Sequence, residues 1–174
     1  MPKAYLSIGS NQNPEFHIQK ALDELFLAFG ELIISSVYES EAVGFAGDNF
    51  YNLVVGIHTD RPLFELNQYL KHLEDQYGRD RSSPKFSGRT LDVDILTYGD
   101  CVGTFDGITL PREEIAFHAF VLLPMVDVAA KDGHPSLGLS YQALWQSFNK
   151  DTQKLWPVDF VWQGKLISNK KASS

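Results

Sequence analysis

Two aspartates, Asp92 and Asp94, lie within the stretch FSGRTLDVDIL at 86–96, the second half of which otherwise has the pattern of a strand. Alternate side chains of a strand share one face, so both carboxylates point the same way, about 6.6 Å apart, while Val93 and Ile95 enter the core. Asp is uncommon in strands, and two like charges on one face repel unless a positive group lies between them. The pair indicates a solvated strand face, a structural site that is ion-paired with Arg89 or with the basic loop before it, or a site for Mg²⁺.

A basic loop precedes the aspartates. Residues 79–89 carry four cations against Asp80, namely Arg79, Arg81, Lys85 and Arg89, although the chain as a whole has a net charge of −7. A basic loop on an acidic body favours one particular anion over a polyanion, although a solvated surface loop has the same composition. Mg²⁺ usually takes one or two carboxylates plus substrate phosphates, and guanidinium groups grip phosphate oxygens in a forked manner. Loop and aspartates together favour Mg–nucleotide chemistry.

The composition narrows the class of protein. With 174 residues, 44% of them hydrophobic, the chain fits one domain, which we place at 1–166, followed by a disordered tail at 167–174. Cys101 is the single cysteine, which excludes an internal disulfide and favours a reducing, cytoplasmic compartment. We expect no membrane span and no nucleic-acid partner, because no apolar run is long enough and the net charge is negative. We expect a monomer.

The elements that must position these groups follow from hydrophobic periodicity and end signals. Asn13 is the predicted N-cap of a helix that begins at Pro14 and ends before Gly30, and Pro62 opens a second helix that ends at Gly78. Ser140 is the predicted cap of a short later helix. The predicted strands are 4–9, 31–40, 52–59, 91–99 and 158–163, and the predicted helices are 14–29, 62–77, 119–129 (broken near Pro124) and 140–148. This order, βαββαβ with further elements, favours an α+β ferredoxin-like fold, an antiparallel-rich sheet with helices packed against it.

Four segments carry a family resemblance. AYLSIGSN, GFAGDNFYNLVV, YGRDR…GRTLDVDIL and LP…FVLLPM resemble, in this order, the signatures of 6-hydroxymethyl-7,8-dihydropterin pyrophosphokinases, from about Ala4 to Phe148. The resemblance implies Mg-dependent transfer of the β,γ-diphosphate of ATP to the hydroxymethyl oxygen of the pterin, with release of AMP, in folate biosynthesis. It also implies two Mg²⁺ ions and ATP as co-substrate.

The resemblance assigns roles to individual residues. Asp92 and Asp94 match the metal-binding pair and, with Arg79 and Arg89, the catalytic groups. The residues that match ATP contacts are Lys71, Glu74, Arg79, Arg81, Arg89, Ile95, Thr109, Arg112 and His118. The residues that match pterin contacts are Ser40, Val43, Phe50, Asn52, Phe86, Asp92 and Phe120, with Phe50 and Phe120 on the two faces of the ring. Without the resemblance, Phe120 would be read as a core residue and Asn52 as a turn residue.

Four positions depart from the family pattern. Arg112 stands where the family has His, and His118 stands where it has Arg, so the two types are exchanged. Phe86 replaces Trp and Gly88 replaces Pro, which removes an indole N–H and adds backbone freedom. The alternative reading is therefore a non-catalytic or altered-specificity relative that binds pterin or nucleotide. A ferredoxin-like RNA-binding module is a third reading, which the acidic net charge disfavours.

Overall fold

The structure, a computed structural model, describes residues 2–41, 48–77 and 91–170. In these ranges the chain forms ten strands and five helices. The strands are β1 Lys3–Ser10, β2 Ile33–Ile34, β3 Tyr38–Ser40, β4 Phe50–His58, β5 Asp92–Tyr98, β6 Gly103–Phe105, β7 Ile108–Leu110, β8 Leu155–Pro157, β9 Phe160–Trp162 and β10 Lys165–Ser168. The helices are α1 Pro14–Phe29, α2 Leu63–Gln76, α3 Glu114–Phe117, α4 Ala119–Ala129 and α5 Tyr141–Gln146.

One antiparallel sheet organises the molecule. Among the described residues it has six strands in the order β5-β1-β4-β3-β8, and β2 also pairs with β4. β1 pairs with β4 and β5 in antiparallel fashion, and β3 pairs with β4 and β8 in the same way. With β2 and β3 taken as one interrupted strand, this is the βαββαβ arrangement of a ferredoxin-like fold. The predicted α+β class is confirmed.

The sheet has a core on each face. Its first face carries Leu6, Leu53 and Val93, which pack with the buried sides of α1 and α2. Its second face carries Tyr5, Val54 and Leu96, which pack under α3, α4 and α5. Asp92 and Asp94 alternate with Val93 along β5 and therefore belong to the second face. The helices of that face thus border the two carboxylates.

All four predicted helices are present, as α1, α2, α4 and α5. α1 begins at Pro14 and Gly30 donates its backbone N–H to the Phe26 carbonyl, as the end signals predict. Asn13 occupies the cap position in a left-handed conformation with φ 47°, and its side chain makes no cap hydrogen bond. α5 has the expected cap, because the Ser140 hydroxyl accepts a hydrogen bond from the Ala143 N–H. α2 ends at Gln76, and its predicted stop, Gly78, lies outside the described residues.

The predicted strand at 31–40 is two strands, β2 and β3. At the interruption the Val54 N–H donates to the Ser35 hydroxyl at 2.9 Å, while the Ser35 N–H donates to the Val54 carbonyl. The side-chain oxygen of Ser35 thus takes the place of a backbone acceptor, and the ladder is broken there. α4 is one helix, not a helix broken at Pro124. Its apolar packing against the sheet outweighs the backbone hydrogen bond that a proline removes.

The C-terminal part differs most from the prediction. The strand expected at 158–163 is the first half of a hairpin, β9–β10, whose turn residues Gln163 and Gly164 have positive φ. Ile167 and Ser168, placed in the tail by the sequence analysis, lie in β10, and the Ser168 hydroxyl accepts a hydrogen bond from the Val37 N–H at 2.9 Å. Residues 171–174 lie outside the described part. β8 is an additional edge strand beside β3.

Candidate functional site

The two carboxylates occupy an edge strand. Asp92 and Asp94 are half-buried on β5, whereas Val93 between them has no exposed surface, so the predicted alternation is confirmed. Asp92 lies opposite Gly9 and Asp94 opposite Ser7 on β1. Because β5 forms one border of the main sheet, side chains beyond that border reach the aspartates without crossing another strand.

Among the described residues, two cations face Asp94. Lys71 Nζ on α2 lies 3.1 Å from Asp94 Oδ1, and Arg112 Nη1, just before α3, lies 3.9 Å from the same oxygen. The sequence analysis had named Arg89 or the basic loop as the positive partner. Those residues lie outside the described ranges, and the structure supplies two other cations. The side chains of Lys71 and Arg112 are 33% and 39% exposed, so both remain accessible to a further anion.

Glu74 connects α2 with β5. Its side chain has no exposed surface, and its Oε2 accepts a hydrogen bond from the Val93 N–H at 2.7 Å. Lys71 Nζ lies 3.4 Å from the same oxygen. A buried carboxylate is tolerated only when such partners replace its water. Glu74 therefore holds the backbone between the two aspartates, and its predicted direct contact with ATP stays a prediction.

A cleft of about 490 Å³, here the β5 cleft, opens beside these groups. Its lining residues are Asn67, Lys71, Ile95, Gly107, Ile108, Thr109, Arg112, Glu113 and Glu114. Four residues that the family resemblance assigns to ATP thus line one cavity: Lys71, Ile95, Thr109 and Arg112. The sequence analysis missed Asn67 and the β6–β7 hairpin. The hairpin had a local signal, since Asp106 and Gly107 form its turn with positive φ, as Asp-Gly turns commonly do.

A row of facing residues crosses the sheet from Asp92. Gly9 lies between Asp92 on β5 and Asn52 on β4, and Tyr38 lies beyond Asn52 on β3. A Cβ atom on Gly9 would meet Asn52 Oδ1 at 2.7 Å, closer than side-chain atoms ordinarily approach. The Asn52 amide, only 6% exposed, thus uses the space that glycine leaves. This places an amide and a carboxylate on one face, two strands apart.

A second cleft, about 550 Å³ and here called the α4 cleft, lies at the N-terminal end of α4. Its lining residues are Ser40, Glu41, His118, Ala119, Phe120, Asp151, Thr152, Gln153, Lys154 and Leu155. Phe120 is partly buried and stacks on His118, with ring centroids 4.8 Å apart and planes at 30°. Ser40 pairs directly with Phe50 across β3 and β4.

The structure therefore brings Ser40, Phe50, Asn52 and Phe120 to one region, as predicted for pterin contacts. His118, predicted beside ATP, lies in the α4 cleft against Phe120, whereas Arg112 lies in the β5 cleft. The sequence analysis missed the five lining residues at 151–155. No local pattern marks them, because their place depends on pairing with distant β3.

A hydrogen-bonded pair, Tyr38 and Asp127, connects β3 with α4. Tyr38 donates its hydroxyl to Asp127 Oδ2 at 2.7 Å, and the Ser36 N–H donates to the same oxygen at 3.3 Å. Burial raises the pKa of Asp127, and these two hydrogen bonds oppose the increase. Burial likewise raises the pKa of Tyr38 above its ordinary value. The pair joins α4 to the strand that faces Asn52.

The aspartate pair fits a hard cation. Within 2–41, 48–77 and 91–170, no group of three His, Cys, Asp or Glu side chains is placed to hold a metal ion by itself. Asp92 and Asp94 supply two carboxylates on one half-exposed face, and Mg²⁺ commonly takes one or two carboxylates and completes its octahedron with water and substrate phosphates. The donor set therefore suits Mg²⁺ that arrives with a phosphate ligand.

Five predicted site residues have no described position: Val43, Arg79, Arg81, Phe86 and Arg89 lie outside the described ranges, and so does Gly88. Within the part that is described, none of the helices has the length and apolarity needed to cross a bilayer.

Comparison with known proteins gives the family. The model of the family 7,8-dihydro-6-hydroxymethylpterin-pyrophosphokinase (HPPK) matches residues 5–130. A protein of Synechocystis sp. named 2-amino-4-hydroxy-6-hydroxymethyldihydropteridine pyrophosphokinase is 31% identical over 158 residues, 89% of this chain and 80% of the relative. A protein of the same name from Aquifex aeolicus is 33% identical over 139 residues, 78% of this chain and 85% of the relative.

Solved structures agree on the fold. The Plasmodium falciparum HPPK-DHPS triple mutant S436F/A437G/A613S superimposes with a TM-score of 0.74 at 13% identity, over 99% of this chain and 47% of that chain. This chain thus spans about half the length of the solved chains it matches, and at such low identity the likeness concerns the fold alone. The family match and the two relatives agree, and the chain belongs to the 7,8-dihydro-6-hydroxymethylpterin-pyrophosphokinase family, the pyrophosphokinases of folate biosynthesis.

Proposed function

We propose that this chain transfers the diphosphate of ATP to 6-hydroxymethyl-7,8-dihydropterin, with ATP in the β5 cleft and the pterin between the α4 cleft and Asn52. The observation that carries the proposal is the position of Asp92 and Asp94. Asp94 faces the cations of the β5 cleft, and Asp92 faces the row that leads through Gly9 to Asn52. The two carboxylates thus stand where a phosphate chain and a pterin would meet.

The nucleotide side rests on charge. Lys71 and Arg112 both approach Asp94 from the β5 cleft, and each has about a third of its side chain exposed. Phosphoryl-type transfer depends on alignment and on neutralisation of the phosphate oxygens far more than on covalent help from the protein. Lys71 and Arg112 supply that neutralisation, and Thr109 and Asn67 line the same cavity as polar contacts for the nucleotide.

The two aspartates are the proposed metal ligands. We propose that Asp92 and Asp94 hold two Mg²⁺ ions together with the phosphates of ATP, and such ions neutralise phosphate charge and polarise an attacking hydroxyl. Glu74 serves this arrangement indirectly, because its hydrogen bond to the Val93 N–H fixes the strand between both ligands.

The pterin side rests on shape. A flat ring with a hydrogen-bonding edge suits two aromatic faces and one amide, because stacking supplies contact area and the amide supplies orientation. Phe120 and Phe50 provide the aromatic surfaces, and Asn52 provides the amide. In the transfer, the hydroxymethyl oxygen bonds to the β-phosphorus while the bond from that phosphorus to the oxygen shared with the α-phosphorus breaks. AMP leaves with that oxygen, and the hydroxyl proton goes to solvent.

The test is analysis of nucleotide products with ATP, Mg²⁺ and the hydroxymethyl dihydropterin. We expect AMP that accumulates only when the pterin is present, in equal amounts with pterin diphosphate. Formation of ADP instead would show a different phosphotransfer. Binding of both ligands without turnover would support the second candidate, a non-catalytic or altered-specificity relative.

One observation favours that second candidate. Arg112 and His118 are exchanged relative to the family pattern, and His118 lies in the α4 cleft, away from the residues that line the β5 cleft. A histidine is only partly charged at neutral pH, so a phosphate contact made by arginine elsewhere in the family would be weaker here. We also propose that the chain acts as a monomer in the cytoplasm, a location compatible with its free Cys101.

A further inference from the structure

One wall of the α4 cleft comes from a segment that no sequence signal marks. The segment is 151–155, here called the C-terminal wall. It supplies half of the lining residues of the cleft. It lies outside residues 5–130, which the family model matches. The wall lies in the C-terminal part of the chain, and its contacts show what it does to the cleft.

Gln153 of the C-terminal wall binds both sides of the junction between α3 and α4. Its Oε1 accepts a hydrogen bond from the Ala119 N–H at 2.8 Å, and its Nε2 donates to the Phe117 carbonyl at 2.8 Å. The Ala119 N–H is one of the first amides of α4, which have no partner within their helix, and the Phe117 carbonyl ends α3. One side chain thus caps two helices from a distant part of the chain.

The two hydrogen bonds stand on either side of His118. Phe120 follows immediately in the first turn of α4 and stacks on the His118 ring. A rotation of this turn would carry Phe120 across the cleft, because its side chain projects from the second residue of the helix. Gln153 therefore restrains the orientation of the Phe120 ring.

The C-terminal wall is held on the opposite side as well. Leu155, two residues after Gln153, pairs with Ser40, and Trp156 Nε1 donates to Glu39 Oε1 at 3.2 Å. Two extended residues span about 6.6 Å, so little slack separates the two attachments. The wall thus joins the strand that carries Ser40 to the helix that carries Phe120.

We propose that Gln153 is a positioning residue that sets the separation of Phe120 from the sheet and thereby the affinity of the α4 cleft for the pterin ring. The inference rests on the proposed function, since it takes the pterin as the occupant of that cleft. A ring that stacks on an aromatic side chain binds most tightly when that side chain is held in place before binding, because binding then costs no conformational entropy to order the side chain.

The experiment compares Gln153→Ala with wild type. We expect the KM for the hydroxymethyl dihydropterin to rise about tenfold, as the loss of two hydrogen bonds of ordinary strength predicts. We expect the KM for ATP and the kcat to stay within about twofold, because the β5 cleft is untouched. Gln153→Glu keeps the acceptor for the Ala119 N–H but opposes a carboxylate to the Phe117 carbonyl, and it should weaken pterin binding too. Gln146→Ala, an exposed glutamine of nearby α5, is the matched control.

The outcomes separate the proposals. An unchanged pterin KM in a folded Gln153→Ala variant would overturn the positioning role. An equal rise in the KM for both substrates, together with a lower Tm, would overturn the positioning role too, because that result means general destabilisation of the protein. Fluorescence measurement of pterin binding separates this inference from the proposed function. If wild type binds no pterin, both the proposed function and this inference are refuted. If wild type and Gln153→Ala bind the pterin equally well, this inference alone is refuted.

Discussion

Gly9→Ala tests whether the open row between Asp92 and Asn52 is part of the pterin site. The added Cβ would lie 2.7 Å from Asn52 Oδ1, about 0.7 Å inside the 3.4 Å at which ordinary contact begins. The Asn52 amide is nearly buried and has little room to retreat without rotating. Gly9 has no positive φ, so the substitution strains this contact and not the backbone.

The size of the effect follows from that displacement. Hydrogen bonds weaken steeply with misalignment, and an amide that has moved by this amount loses one or two bonds to a bound ring. At about 0.5–1.5 kcal/mol for each bond, the KM for the pterin should rise roughly twofold to a hundredfold. The same overpacking should lower the free energy of unfolding by about 1–3 kcal/mol.

Two other glycines separate these effects. A Cβ on Gly56 would lie 2.9 Å from Tyr5 Cε1, so Gly56→Ala should reduce stability in the same sheet without disturbing Asn52. A Cβ on Gly133 would meet nothing within 4 Å, so Gly133→Ala is the neutral control. Urea unfolding and the KM for each substrate should be measured for all three variants.

The three glycine variants should differ in their KM values in a distinct way. Gly9→Ala alone should raise the KM for the pterin, and the KM for ATP should stay near that of wild type in every folded variant. If Gly9→Ala and Gly56→Ala raise the pterin KM equally, the effect comes from lost stability, and the assignment of Asn52 to the pterin is refuted. An unchanged pterin KM in Gly9→Ala refutes it as well.

Three further predictions concern the metal ligands, the buried carboxylate and a buried histidine. Asp94→Ala should lower Mg-dependent AMP formation by roughly three orders of magnitude or more with the fold retained, and activity near that of wild type would contradict its role as ligand. Glu74→Ala should lower the free energy of unfolding by about 1–3 kcal/mol because the buried Val93 N–H loses its acceptor, whereas Glu74→Gln should cost less; equal losses in urea unfolding would show that the hydrogen bond is not the cause. His134 accepts backbone N–H bonds at Nδ1, and burial lowers its pKa, so its contribution to stability is present above the ordinary pKa of histidine, about 6.5, and is lost as pH falls through the lowered value. The free energy of unfolding of wild type relative to His134→Asn should therefore decrease as the pH falls below about 6.5. A constant difference in the free energy of unfolding between pH 7 and pH 5 would contradict the role of neutral His134 as a hydrogen-bond acceptor.

Local signals predicted the parts of the fold whose causes are local. Pro14 and Gly30 mark helix ends by their backbone chemistry and Ser140 by its side-chain hydroxyl, and all three helix ends lie where these residues predict. The alternation of Asp92 and Asp94 with apolar residues was also readable, because the period of a strand is independent of its partners. The Asp106–Gly107 turn was equally readable and was overlooked.

Other features depend on contacts between distant residues. β2 and β3 separate because the Ser35 hydroxyl bonds to Val54 on another strand, and nothing in the sequence near Ser35 announces that partner. The contact of Lys71 with Asp94 joins α2 to β5, and no pattern near either residue predicts that partner. Gln153 is another such case, since its two partners lie 34 and 36 residues away along the chain. Its role becomes visible only with the fold.

The C-terminal wall also fixes the order in which a ribosome completes the two clefts. Every described residue of the β5 cleft has been added by Glu114, whereas the α4 cleft waits for residues 151–155. Because synthesis runs from the N-terminus, the nascent chain contains every described lining residue of the β5 cleft before it contains the C-terminal wall. A prematurely terminated product that ends between residues 114 and 151 would contain Lys71 and Arg112 but lack the two hydrogen bonds of Gln153 beside Phe120.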